Sequence, residues 1–162
     1  MHPLIQELAE RRRFGMKPGL DKIRLLLDSL DNPQHALAAV HIAGTNGKGC
    51  VAAVCDAVLR AAGYQCGRYT SPHLNRINER FMVDGEPVSD EKLVHYAARV
   101  TAAINAIERD SDLSITFFEA MTALALLLFK EEGLKLVVLE TGLGGRLDAT
   151  NVIDPLVSVI TR

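Results

Sequence analysis

Val40-His41-Ile42-Ala43-Gly44-Thr45-Asn46-Gly47-Lys48-Gly49 decides the fold of this chain, because it runs from an apolar strand into a glycine-rich turn carrying one lysine. Residues 39–43 read as a short buried strand and residues 51–62, rich in Ala, Val and Leu, as a helix. The glycines therefore fall where strand becomes helix. Such a junction suits anions: the unpaired N–H groups of a first helical turn point at a bound phosphate, glycines let the backbone come close, and the Lys48 ammonium offsets charge on the outer phosphates. A nucleoside triphosphate is the expected ligand. The match to the general pattern GxxxxGK followed by Ser or Thr is partial. Ile42 stands at the first glycine position, Gly49 follows the lysine, and Cys50 comes where a hydroxyl is expected one residue later. The plain alternative is a glycine-rich turn with a surface lysine.

On either side of the loop the chain alternates between helical and extended patterns. Leu4, Ile5 and Leu8 suggest a short amphipathic helix, and Leu20, Ile23, Leu26, Leu27 and Leu30 form a helical stripe that Pro33 ends. Gly63 reads as a helix C-cap and residues 64–69 as a second strand. Asp84-Gly85 between apolar arms is a tight-hairpin signature, and Pro87 confines the second arm to a sheet edge. Ser89 caps a helix running to about Arg109, and Thr116 opens another that ends near Gly133. Residues 134–140 are almost wholly apolar, as a central parallel strand covered on both faces requires, and residues 156–161 form a fourth strand. This order predicts an α/β fold, a mostly parallel sheet with flanking helices. Right-handed crossovers then bring the glycine loop and the end of the third strand to one carboxyl edge, where ligands of such sheets bind.

A chain of 162 residues is about one domain long, and a domain of that size buries about 70% of the surface its unfolded chain exposes. Hydrophobic residues at 48% and charged residues at 23% argue against disorder, and a net charge of −2 gives no sign of a nucleic-acid partner. Arg11-Arg12-Arg13 reads as the solvated basic end of the first helix. Cys50, Cys55 and Cys66 form no CxxC pair, which points to unpaired thiols in a reducing cytoplasm. The most apolar run, residues 120–129, is too short to cross a bilayer. The reading is a soluble, cytoplasmic, monomeric protein with small-molecule partners.

Several side chains carry chemistry. Glu140 ends the buried strand at the ligand edge, where a carboxylate suits Mg²⁺, the lesser alternative by position being an ion pair with a lysine or arginine. Ser71, after the second strand, is on residues alone a turn serine before proline. His73 reads as a solvated loop histidine. Thr116 and Glu119 have capping-box spacing, which is a sufficient structural account. Phe117 and Phe118 offer flat apolar surface, but adjacent residues cannot both face one way. Gly142-Leu143-Gly144-Gly145 fails as a dinucleotide fingerprint, since Leu147 holds the third glycine position and a loop follows where that fold needs a helix.

Five ordered segments together resemble the folylpolyglutamate and dihydrofolate synthase branch of the Mur ligase superfamily. They are Phe14-Gly15-Met16-Lys17-Pro18-Gly19-Leu20-Asp21-Lys22-Ile23, Gly44-Thr45-Asn46-Gly47-Lys48-Gly49, Tyr69-Thr70-Ser71-Pro72-His73-Leu74, Thr116-Phe117-Phe118-Glu119, and Leu139-Glu140-Thr141-Gly142-Leu143-Gly144-Gly145-Arg146-Leu147-Asp148-Ala149-Thr150-Asn151. The resemblance implies the P-loop NTPase-like central domain of a Mur ligase in truncated form. Residues 1–162 would be one incomplete N-terminal ATP-binding domain, without the C-terminal domain of longer family members and inactive alone. It implies an ATP-dependent ligase that joins L-glutamate to dihydropteroate or a folate through an acyl phosphate. By the same resemblance, Gly44, Thr45, Asn46, Gly47, Lys48, Gly49 and Cys50 bind ATP, Ser71 and Glu140 hold Mg²⁺, and Lys48 and Glu140 are catalytic. Thr116, Phe117, Phe118 and Glu119, with Leu147, Asp148 and Ala149, line the pteroate site. Cys50 departs from the family pattern, because a thiol is a poor magnesium ligand beside a hydroxyl, and it reads as a small residue filling a tight helix start. The competing readings are a stand-alone nucleotide-binding module and a P-loop ATPase or kinase.

Overall fold

The computed structural model describes residues 2–11 and 19–162. Arg12, Arg13 and residues 14–18 of the first motif lie outside the described residues.

The most apolar strand, β5 (Leu136–Glu140), lies inside the sheet with parallel neighbours on both sides. These are β1 (Ala38–Gly44) and β2 (Cys66–Tyr69). Two further strands build one edge: β3 (Phe81–Val83) runs antiparallel to β2, and β4 (Glu86–Pro87) runs antiparallel to β3. At the other edge β6 (Val157–Thr161) is parallel to β1, giving the order β4-β3-β2-β5-β1-β6. The hairpin turn uses Asp84 at φ +49° and Gly85 at φ +85°, the left-handed pair a two-residue turn needs. Pro87, which has no N–H to give, sits on the outermost strand.

Helices cover both faces. On one face α5 (Phe117–Glu131) is buried nearly all round, because α1 (Pro3–Glu10), α2 (Asp21–Asp28) and α4 (Asp90–Asp110) pack over it while the sheet lies beneath. Its start is fixed by a complete capping box. The Glu119 N–H donates to Thr116 Oγ1 at 3.2 Å, and the Thr116 N–H donates to Glu119 Oε2 at 2.7 Å. Ser89 caps α4 with its hydroxyl alone, accepting from the Lys92 N–H. Tyr69, Phe81, Phe129, Val137 and Leu139 form the core between sheet and α5, and a Cβ on Gly67 would meet the Phe129 ring at 2.8 Å. On the other face α3 (Lys48–Ala61) covers a smaller core of Ile42, Ala52, Cys66 and Val138.

Three boundaries differ from the sequence reading. Helix α3 begins at Lys48 rather than at residue 51, since Gly47 at φ +80° lets the backbone enter the helix directly from the turn. Strand β2 begins at Cys66, because the Tyr64 N–H still bonds back to the Leu59 carbonyl and ends α3. Pro33 opens a one-turn 3₁₀ helix, Pro33–Ala36, instead of closing the preceding region. Among the described residues no helix is long and apolar enough to cross a membrane.

Candidate functional site

The register fixes the site. Ile42 lies opposite Glu140 across β1 and β5, so the turn that follows β1 and the acid that ends β5 emerge together at the carboxyl edge. Gly44 has φ +134°, and a Cβ there would lie 2.2 Å from Thr161 Oγ1 and 2.4 Å from the Thr161 carbonyl oxygen, so β6 admits only glycine. Beyond it, Thr45, Asn46 and Gly47 are exposed. The Asn46 N–H donates to the Arg162 carbonyl at 2.7 Å, which ties the turn to the end of β6. Gly47 caps α3 without any side-chain acceptor, leaving the first-turn N–H groups directed at solvent. The Lys48 ammonium folds back over the turn and donates to the Gly44 carbonyl at 2.9 Å and the Thr45 carbonyl at 3.4 Å.

Glu140 is only 5% exposed. Its Oε2 accepts the Ser71 N–H at 3.0 Å, and a Cβ on Gly49 would lie 3.7 Å from the same oxygen. Three of the sequence motifs therefore meet at one carboxylate. Burial raises the Glu140 pKa above the ordinary value, opposed by the Ser71 N–H and by the nearby cations Lys48, Arg68 and Arg80. Cys50 is exposed. The reading of Cys50 as a packing residue is thus corrected: it stands at the third helical position and faces outward from α3, away from the small core beneath it.

The remaining expected residues divide by environment. Glu119 is buried and, besides closing the capping box, pairs with Lys22 at 3.2 Å. Phe117 is buried beneath the Arg80 guanidinium, 5.2 Å from the ring centroid, while half-buried Phe118 packs against Gly142 and lies 6.1 Å from the Tyr69 ring. Adjacent phenylalanines do take different faces. Leu147 is 47% exposed, whereas Asp148 and Ala149 are buried. Both Asp148 oxygens are occupied within the chain. Oδ2 accepts the Gly142 and Leu143 N–H groups, and Oδ1 accepts the Thr150 N–H and hydroxyl.

Two residues outside the expected set stand out. Arg80 is 5% exposed, and its Nε donates to His73 Nδ1 at 2.8 Å, so His73 has a partner where the sequence suggested solvent. His41 is buried behind the loop that Asp148 organises, bonded to Thr150. A polar residue inside an otherwise apolar strand was the one sequence signal for His41.

A mostly parallel sheet covered on both faces, with a glycine-lysine turn at its carboxyl edge, is the architecture of a Mur-ligase-type α/β domain. No protein-family model matches the chain. It is 43% identical over 152 residues to the dihydrofolate synthase/folylpolyglutamate synthase of Bacillus subtilis, covering 93% of this chain and 35% of that protein. The structure of an FPGS–AMPPCP–folate complex superposes with a TM-score of 0.92 at 40% identity, covering 97% of this chain and 38% of that one. Mycobacterium tuberculosis folylpolyglutamate synthase complexed with ADP and AMPPCP superposes with a TM-score of 0.89 at 37% identity, covering 97% and 35%. The chain belongs to the folylpolyglutamate/dihydrofolate synthase family, and it spans about a third of the length of these relatives.

Proposed function

We propose that the chain carries the ATP-handling part of an amide-forming ligase, which joins L-glutamate to dihydropteroate or a folate by way of an acyl phosphate. The observation that carries this reading is the meeting of Lys48, Gly49, Ser71 and Glu140 at one carboxyl edge. The similarity to structures holding AMPPCP, ADP and folate supports it.

In this account the triphosphate lies over the turn from Gly44 to Cys50. The open first-turn N–H groups of α3 receive its oxygens, and the Lys48 ammonium turns from its own loop carbonyls to the phosphate being transferred. Glu140 and the Ser71 hydroxyl fit Mg²⁺, since one carboxylate with a hydroxyl is what a hard cation takes when phosphate and water complete its shell. No cluster of three or more His, Cys, Asp or Glu suited to another metal occurs among the described residues. Magnesium, when bound, supplies charge neutralisation on the phosphates. Phe118 and Leu147 offer the surface for the pteroyl group, with Thr116, Phe117, Glu119 and the buried Asp148-Ala149 turn holding that surface in place. Most of the rate then comes from positioning acid, phosphate and amine together.

Glu140→Ala in the full-length protein tests the reading. Glutamylation should fall at least ~100-fold on losing this electrostatic contact, with pteroyl binding retained. Full activity in that variant would overturn the assignment.

A further inference from the structure

The buried imidazole of His41 on β1 lies with its Nε2 2.7 Å from Thr150 Oγ1, and Thr150 Oγ1 lies 2.6 Å from Asp148 Oδ1. A hydroxyl has one proton to give. Asp148 accepts backbone N–H groups at both of its oxygens, so it is the acceptor of that proton. Thr150 must then accept from His41, which fixes the neutral ring as the tautomer protonated on Nε2. Burial keeps the ring neutral, lowering the His41 pKa.

The other end of this line holds a loop. Asp148 Oδ2 accepts the Gly142 and Leu143 N–H groups, each at 2.9 Å. That loop starts directly after Glu140 and Thr141, and the Thr141 N–H donates to the Ile42 carbonyl at 2.9 Å. It is wedged between the two halves of the site. A Cβ on Gly145 would lie 3.7 Å from Ala43 Cβ, just before the phosphate turn, and a Cβ on Gly142 would lie 2.5 Å from the Phe118 ring. Its tip is exposed Leu143.

We propose that His41 is a positioning residue for the acyl substrate: through Thr150 and Asp148 it fixes the Gly142–Gly145 loop against Phe118, so that this loop presents Leu143 to the flat aromatic part of that substrate. The proposal rests on the ligase reading for the identity of the substrate. Asp148 acts here by shaping the loop, its carboxylate being fully occupied, and no contact of His41 with substrate is required. The hydrogen-bond line that starts at His41 ends at the Gly142 and Leu143 amides, beside Phe118, so the larger effect of His41 falls on the pteroyl side.

The test uses the full-length protein and four variants. His41→Leu and Thr150→Val remove the donor or the relay at similar volume, His41→Gln keeps an N–H near the Nε2 position, and the double variant His41→Leu/Thr150→Val closes a cycle. Each single apolar variant should raise KM for dihydropteroate or folate about tenfold, with kcat and KM for ATP changed less than about twofold. The double variant should be no worse than either single, since both break one line. His41→Gln should return KM to within about twofold of the parent. Hydrogen exchange at the Gly142 and Leu143 amides should speed up in His41→Leu and Thr150→Val and stay slow in His41→Gln. Additive effects, an equal rise in KM for ATP, or unchanged exchange at those amides would overturn the proposal. Were the parent protein to ligate no glutamate, the ligase reading would fail alone, and the exchange measurement would still decide whether His41 fixes the loop.

Discussion

Replacing Asp148 by alanine should destabilise the chain far more than replacing it by asparagine, although asparagine also removes the charge. In the alanine variant Thr150, which is fully buried, loses the acceptor for both its N–H and its hydroxyl. Each buried donor left without a partner costs about 1–3 kcal/mol, so the pair should cost about 2–6 kcal/mol. The Gly142 and Leu143 N–H groups lie in an exposed segment and can turn to water, adding little. Asparagine keeps an oxygen for Thr150 and only opposes its amide to Gly142 and Leu143, for a loss of about 1–2 kcal/mol. Against a total stability on the order of 5–15 kcal/mol, the alanine change is large enough to read from urea unfolding followed by circular dichroism, with the slope m compared between variants. An alanine loss below about 0.5 kcal/mol, within the scatter of an ordinary surface substitution, would refute the reasoning. So would asparagine proving the costlier change.

Three further outcomes are expected. Lys48→Ala should weaken ATP binding by about tenfold or more in calorimetry, the worth of one charge-assisted hydrogen bond to phosphate. Cys50→Ser should tighten Mg·ATP more than metal-free ATP, because an exposed thiol at the third position of α3 becomes a hard oxygen donor; equal effects on both would remove Cys50 from the metal question. Stability should also depend on His41. Its folded pKa lies below the ordinary 6.5, so the unfolded chain takes up the proton first, and stability present above about pH 6.5 is lost as pH falls through the lowered value. Thermal midpoints measured across that range should show a slope that His41→Gln flattens.

What the sequence made legible was local. The strand-turn-helix around Gly44 to Lys48, the Asp84-Gly85 hairpin, the Ser89 cap and the Thr116–Glu119 box are each written within a few neighbouring residues, and each forms where expected, with α3 opening three residues early. The central place of β5 followed from its unbroken apolar run, and with it the position of Glu140 at the ligand edge. The partners of side chains were not legible. His41 and Thr150 are 109 positions apart, and Ser71 reaches Glu140 across 69, so only the assembled sheet brings them together. Cys50 was misread because its small size suggested packing, whereas the helix starts earlier than expected and turns that position outward. Arg80 gave no signal, since its burial depends on the fold of the segment after β2 around His73 and Phe117.

The central claim is that ATP is consumed here to make an amide bond. The most direct measurement is the stoichiometry of the full-length protein supplied with ATP, Mg²⁺, L-glutamate and either dihydropteroate or a reduced folate, with nucleotide and pteroyl products separated by chromatography. The account predicts one ADP and one phosphate for each glutamyl amide formed, and no ADP when the pteroyl acid is left out. Steady ATP breakdown that ignores the pteroyl acid, with no glutamylated product, would contradict it.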